Sequence, residues 1–204
     1  VLPKETGLAF FGRMNYYAAQ MVLAKLYLNA EVYTGTPQWD KAKAACDTII
    51  ESGKYSLTSD FFDNFKEDAT NSPEIILGVA FDNIESPQFE IHLFTLHYNL
   101  ADKYKFEEAT WNGICAQEDF FNYFEETDVR RNGLLFGEQF DEEGNQIEDP
   151  SYEKFDPQNP TGVKDPDGPG LNLTPEINML EPNCLRQAGA RVAKFPFIEG
   201  SDRY

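Results

Sequence analysis

The chain is short of cysteine, histidine and positive charge, and each shortage removes a class of function. Its three cysteines, Cys46, Cys115 and Cys184, lie far apart. At most one disulfide can form, and buried free thiols are the expectation. There is no CxxC and no HExxH, and only His92 and His97 could supply imidazole, so no structural zinc site is expected. The glycine-rich and nucleophile signatures GxGxxG, GxxxxGK followed by Ser or Thr, and GxSxG are absent as well. No cofactor is expected. Lys and Arg number 17 against 35 Asp and Glu, a formal charge of −18. That balance excludes nucleic-acid binding, which needs cations to displace phosphate counterions. It equally opposes docking on anionic lipid. No apolar run approaches the roughly 18 residues of a membrane span. Residues 1–6 lack the basic region and apolar stretch of a signal peptide, the pattern of a mature or trimmed chain.

What the chain has is length for a sizeable core and many aromatics: 17 Phe, 10 Tyr and 2 Trp. Its charge is unevenly spread. Residues 1–60 hold six basic and six acidic side chains, whereas residues 61–204 hold eleven and twenty-nine. The whole imbalance therefore belongs to the second part. Residues 138–156 alone contribute −7, from eight acids against Lys154.

Periodicity predicts a helix over 13–33, with Met14, Tyr17, Ala18, Met21, Ala24 and Leu28 along one face. Gly35 ends it. Thr36 and Pro37 open a second helix as N-cap and first residue. Its stripe is Trp39, Ala42, Cys46, Ile49 and Ile50, and Gly53 is its stop. So short a connection implies an αα-hairpin. The run Glu74 to Phe81 reads as a strand by length and β-branching. Residues 82–116 show poor periodicity. A helix returns over 117–127 with Phe120, Phe121 and Phe124 on one side. Gln139 to Glu148 reads as a hairpin turning at Gly144-Asn145. Residues 149–183, with seven of the twelve prolines, read as a long loop.

These pieces combine into a pattern. It runs through Leu26-Tyr27-Leu28, then Trp39, Ala42, Ala45 and Ile49-Ile50, then Ser52-Gly53-Lys54-Tyr55-Ser56-Leu57, Phe65 and Asn71-Ser72-Pro73-Glu74-Ile75-Ile76. Further on come Trp111-Asn112-Gly113, Asp119-Phe120-Phe121, Phe124 and Asp128-Val129-Arg130-Arg131, with Arg203-Tyr204 at the close. The combination resembles the SusD/RagB family of outer-membrane nutrient-binding lipoproteins, over most of residues 8–132. The resemblance implies a mainly α fold: part of a tetratricopeptide-like αα-hairpin superhelix, with a loop-rich region and a few short strands. It implies one family domain cut to its central part over 1–204, helical in 1–60 and loop-rich and ligand-binding in 61–204. A lipobox cysteine, early helix pairs and C-terminal helices would be absent. It also implies a surface-exposed protein of the outer membrane, tied to it only through a lipid anchor absent from this chain. Its partners would be an oligosaccharide, or a peptide in some branches, and a TonB-dependent transporter. No reaction is implied.

Trp111 is the first candidate for ligand contact, because an indole face stacks on the apolar face of a sugar ring. The resemblance also places a binding aromatic near it. Packing beneath the loop is the even alternative. Asn112 could bond a ligand hydroxyl, although an Asn-Gly turn is the favoured reading. Tyr98 and Tyr104 could complete an aromatic platform, against ordinary half-buried packing. Trp39 and the Phe120, Phe121 and Phe124 group read as core. His92 and His97, five apart, read as surface or half-buried side chains. Asp141-Glu142-Glu143-Gly144-Asn145 fails the EF-hand template, because Gln146 and Tyr152 stand where Gly and Glu are required. Paired acids such as Glu107-Glu108 arise by chance among 35, and nothing sets the separation a glycosidase needs. A scaffold that binds protein through its αα-hairpin is the alternative from another class.

Overall fold

The computed structural model describes residues 2–81, 84–86, 89–154, 164, 168–177 and 187–199. Cys184, Arg203 and Tyr204 lie outside them, as does much of the proline-rich stretch. The chain divides into two compact units, Val1–Ala80 and Phe81–Tyr204. The division falls later than the change in charge at residue 60.

The first unit is built on α1 (Tyr16–Leu28), α2 (Ala30–Thr34) and α3 (Trp39–Ile50). Asn15 caps α1 by accepting from the Ala18 N–H at 2.8 Å. The expected helix over 13–33 breaks at Asn29, whose side-chain amide donates to the Lys25 carbonyl at 2.9 Å and competes with the helical bond. Gly35 adopts φ 71° and donates to the Glu31 carbonyl, the left-handed stop that glycine tolerates. The second helix starts at Trp39 with Gln38 as its cap position, and not at Pro37 capped by Thr36, whose N–H donates to the Thr34 hydroxyl in the turn.

α1 and α3 pack on each other through Tyr17, Ala18 and Ala24 on one side and Ala42, Ala45 and Ile49 on the other. This alanine seam has no slot for an indole. Trp39, expected in the core, is 58% exposed. Met14, Leu28 and Ile50 are exposed too, as are Val22, Leu23 and Leu26. α1 is apolar on every side, so its sequence does not mark which face is buried. The expected strand over 74–81 is absent. Instead the Glu74 carboxylate accepts from the Thr58 N–H, the Thr58 hydroxyl and the Asn64 amide. These bonds hold it below the ordinary glutamate range, the Asn64 bond contributing most. The run makes side-chain anchors in place of a ladder.

The second unit contains α4 (Ile91–Thr95), α5 (Glu118–Asn122) and four two-residue strands: β1 (Leu134–Leu135), β2 (Gly137–Glu138), β3 (Asn172–Leu173) and β4 (Arg191–Val192). β1 pairs antiparallel with β4, and β2 with β3. The 139–148 hairpin forms as expected: Phe140 bridges Gln146, and Asp141 donates its N–H to the Asn145 carbonyl. α5 is shorter than the expected 117–127. Phe121 and Phe124 pack with Ala116, Leu134 and Ala190, while Phe120 is exposed. The main core is Leu93, Leu96, Leu100, Phe106, Leu171 and Leu173.

His92 and His97, expected at the surface or half-buried, are 1% and 0% exposed. His92 sits among Phe89, Phe106 and Phe197 and is hydrogen-bonded to the Phe195 backbone. Burial lowers its pKa to about 4. The unfolded chain takes up a proton here below about pH 6.5, which the folded chain refuses until about pH 4. Stability therefore falls as pH drops through that window, by about 3 kcal/mol. Denaturant unfolding at pH 7 and pH 4 checks this: the stability difference between the native chain and His92→Gln should shift against the native chain by about that amount.

Candidate functional site

In the second unit, the backbone carbonyl of His97 accepts from the Thr110 hydroxyl at 2.6 Å. That bond joins the segment after α4 to the 110–114 loop. The same loop donates from Trp111 N–H to the Leu93 carbonyl and from Asn112 N–H to the Leu96 carbonyl. Tyr98 and Trp111, each one residue beyond the His97–Thr110 bond, thus leave neighbouring points of the backbone.

Both rings are exposed, Tyr98 at 59% and Trp111 at 36%. Each is also seated on a ring. Trp111 stands edge-on to Phe94 with centroids 4.6 Å apart, and Tyr98 stands edge-on to His97 at 5.5 Å. His97 is itself fixed. Its Nδ1 accepts from the Asn99 N–H at 3.3 Å, and its Nε2 lies 3.3 Å from Asp149 Oδ2. The proton therefore belongs on Nε2, facing the carboxylate. Exposed aromatics held this way lose little freedom when a ligand stacks on them.

Tyr98 borders a cleft of about 540 Å³ between residues 98–105 and the 141–148 hairpin. This volume lies in the range of small-molecule sites. Lys105, at φ 52°, pairs with Glu199 at 3.0 Å and Glu142 at 3.3 Å. Those bonds, Glu199 first, raise its pKa. Burial lowers that of Lys103. Asp102, Asp141, Glu142, Glu143 and Glu148 outnumber the two lysines in the lining, so the cleft is net negative. Asp141 is occupied by its turn, accepting from the Glu143 and Asn145 N–H groups and the Asn145 amide. These bonds, Asn145's side chain first, hold its carboxyl below the ordinary range.

The other sequence candidates are placed differently. Tyr104 packs on the main core against Phe197 and Phe106, and burial pushes its hydroxyl up to about 12. It is half-buried against that core, the ordinary packing that the sequence offered as the alternative to a platform. Trp111 and Asn112 do not line the cleft. Asn112 holds φ 51°, the left-handed turn conformation that Asn tolerates. Its Oδ1 accepts from Arg191 Nη2 at 2.6 Å. Arg191 is 3% exposed and also donates to the Ala188 and Gly189 carbonyls. Asn112 is thereby tied to β4, which anchors the loop that carries Trp111. Neither Arg191 nor the His97–Asp149 pair was visible in the sequence, since each partner is 52 or more positions away and no local spacing signals it.

No protein-family model matches the chain, and no curated protein matches it. Its fold is similar to the crystal structure, at 1.95 Å resolution, of a SusD superfamily protein from Parabacteroides distasonis ATCC 8503. The TM-score is 0.55 and the identity 15%, covering 100% of this chain and 38% of that one. The likeness shows a shared helix-rich fold with a few short strands, and this chain spans well under half of that protein.

The Arg191 anchor has a clear signature. Asn112→Ala removes an acceptor from a buried cation and places alanine in the left-handed region, which should lower stability by about 2 kcal/mol. Asn112→Asp keeps the turn and offers a carboxylate, so its thermal midpoint should match or exceed that of the native chain. Calorimetry of the two variants distinguishes these outcomes.

Proposed function

We propose that the chain is the central part of a nutrient-binding protein of the SusD type, which captures oligosaccharides and catalyses no reaction. The observation that carries this reading is the pair of exposed, ring-seated aromatics, Tyr98 and Trp111, leaving neighbouring points of the backbone, with a polar cleft bordering Tyr98. A sugar presents apolar C–H faces to such rings and hydroxyls to polar neighbours. The acid excess of the cleft favours an uncharged glycan over one bearing carboxylates or sulfates. The SusD-type fold supports the same role. On this reading the protein works at the outer-membrane surface, held by a lipid anchor outside this chain, and passes its ligand to a TonB-dependent transporter. Ligand contact belongs to Trp111 and Tyr98, with Asn112 as the anchor of the loop.

A second reading has its own observation. Val22, Leu23 and Leu26 leave an apolar face on α1 exposed, as a tetratricopeptide-like scaffold for protein partners would. Ligand binding separates the two.

In native affinity electrophoresis, a neutral polysaccharide that retards the protein should retard Trp111→Ala and Tyr98→Ala less. Stacking of this kind corresponds to roughly a threefold to tenfold loss of affinity. Circular dichroism should show both variants folded, and Tyr104→Phe should bind as the native chain does. Equal retardation of the two alanine variants would remove these rings from the site. The absence of retention across a panel of neutral glycans would leave the scaffold reading.

A further inference from the structure

The first unit contains a cavity that the glycan reading does not use. It measures about 230 Å³, is partly open, and is lined by residues from the segments 6–15, 54–55 and 70–78. That is below the ~300 Å³ at which pockets for drug-sized ligands begin, so it suits one ring and not a chain of them. Its lining is mixed: Phe10, Phe11, Ile75 and Ile76 supply apolar surface beside polar Thr6, Thr70, Asn71 and Ser72. Phe11 is set in place by the absence of a side chain at Gly78, where a Cβ would lie 2.3 Å from Phe11 Cζ.

The polar part of the lining is one-sided. The chain has 35 acidic residues, yet none lines this cavity, and its one charged lining residue is Lys54. Beside Lys54 stand Tyr55 and Asn15. Asn15 is 3% exposed. Its Oδ1 is spent on the α1 cap, and its Nδ2 donates to the Tyr55 hydroxyl at 3.3 Å. The Tyr55 hydroxyl, half-buried at the cavity edge, keeps its own hydrogen to donate. Exposed Lys54, half-buried Tyr55 and buried Asn15 thus border a cavity whose lining holds no negatively charged side chain. A carboxylate meets all three, because it accepts at both oxygens and repays the burial of its charge only where donors converge.

We propose that this cavity is a second binding site, specific for a small monocarboxylate with an apolar body of about one ring. Lys54 and the Tyr55 hydroxyl would hold the carboxylate, Asn15 would steer the hydroxyl, and the Phe and Ile walls would cover the ring. The site lies wholly within the first unit and does not depend on the glycan reading.

Phenylacetate and its uncharged amide, phenylacetamide, are matched probes for the whole chain, with binding followed by calorimetry and by amide chemical shifts. Phenylacetate should bind more tightly, shift the amides of residues 54–55 and 70–78, and weaken as salt is raised. Tyr55→Phe should weaken phenylacetate about tenfold, as expected for loss of a hydrogen bond to a charged group. Lys54→Gln, which removes a rim charge, should weaken it about twofold to fivefold. Lys54→Gln should keep the native thermal midpoint, Tyr55→Phe should melt somewhat lower because the Asn15 amide loses its acceptor yet stay folded at the assay temperature, and both should bind phenylacetamide as the native chain does. Equal binding of the two probes, no binding of either, or phenylacetate binding insensitive to both substitutions would overturn the proposal. None of these outcomes bears on the polysaccharide experiment.

Discussion

The second unit depends on how His97 is held. Among its described residues there is no sheet wider than two strands and no helix longer than five residues, so ladders cannot carry the organisation seen there. A single buried residue does much of that work. The His97 carbonyl binds the 110–114 loop through Thr110, its Nδ1 binds the following turn through Asn99, and its Nε2 faces Asp149 at the end of the acidic hairpin. Two segments distant in sequence, the 110–114 loop and Asp149, thus meet at one residue. Such a buried polar junction tolerates no half-made arrangement, because an unsatisfied partner in a low-dielectric interior costs more than the bond contributes. It therefore selects one geometry, and Tyr98 and Trp111 stand beside it.

The same device recurs nearby. Arg191 links the loop of Asn112 to β4, and the Thr95 hydroxyl accepts from the Val192 N–H at 2.7 Å. In the first unit, Glu74 gathers Thr58 and Asn64. Side chains bonding across long sequence separations replace regular structure throughout the loop-rich part of the chain. Apolar residues then fill the spaces between these links, with Leu93, Leu96, Leu100, Leu171 and Leu173 fully buried. The acidic surplus stays largely outside. The hairpin around Glu142 and Glu143 is exposed, and its charge shapes the cleft without entering the core.

Some of this was legible in the residues. The αα-hairpin followed from its 3.6-residue pattern, and Gly35 marked its own left-handed stop. The hairpin near Gly144 was readable because Asp, Gly and Asn favour a turn for local reasons. Other features were not. Glu74 to Phe81 has the composition of a strand, but a strand needs a partner, and its neighbours bond through side chains. Trp39 sits on an apolar stripe, yet the alanine seam beneath has no room for it. α1 is apolar all round, so periodicity could mark a helix there without marking its buried face. Tyr98 and Tyr104 are equivalent by sequence alone, six residues apart, but one is exposed and the other packs half-buried against the core.

By itself, the sequence determined what depends on a residue and its near neighbours: the helix caps, the turns, the uneven charge and the supply of aromatics. The tertiary structure decided what depends on which distant segments meet. It exposed Tyr98, seated Trp111 on Phe94, buried both histidines, and left a cavity free of carboxylates in a chain crowded with them. The physical reason is one of range. Backbone conformation and capping are set within a turn or two, whereas burial and the pairing of buried polar groups are settled only when the whole chain has closed around them.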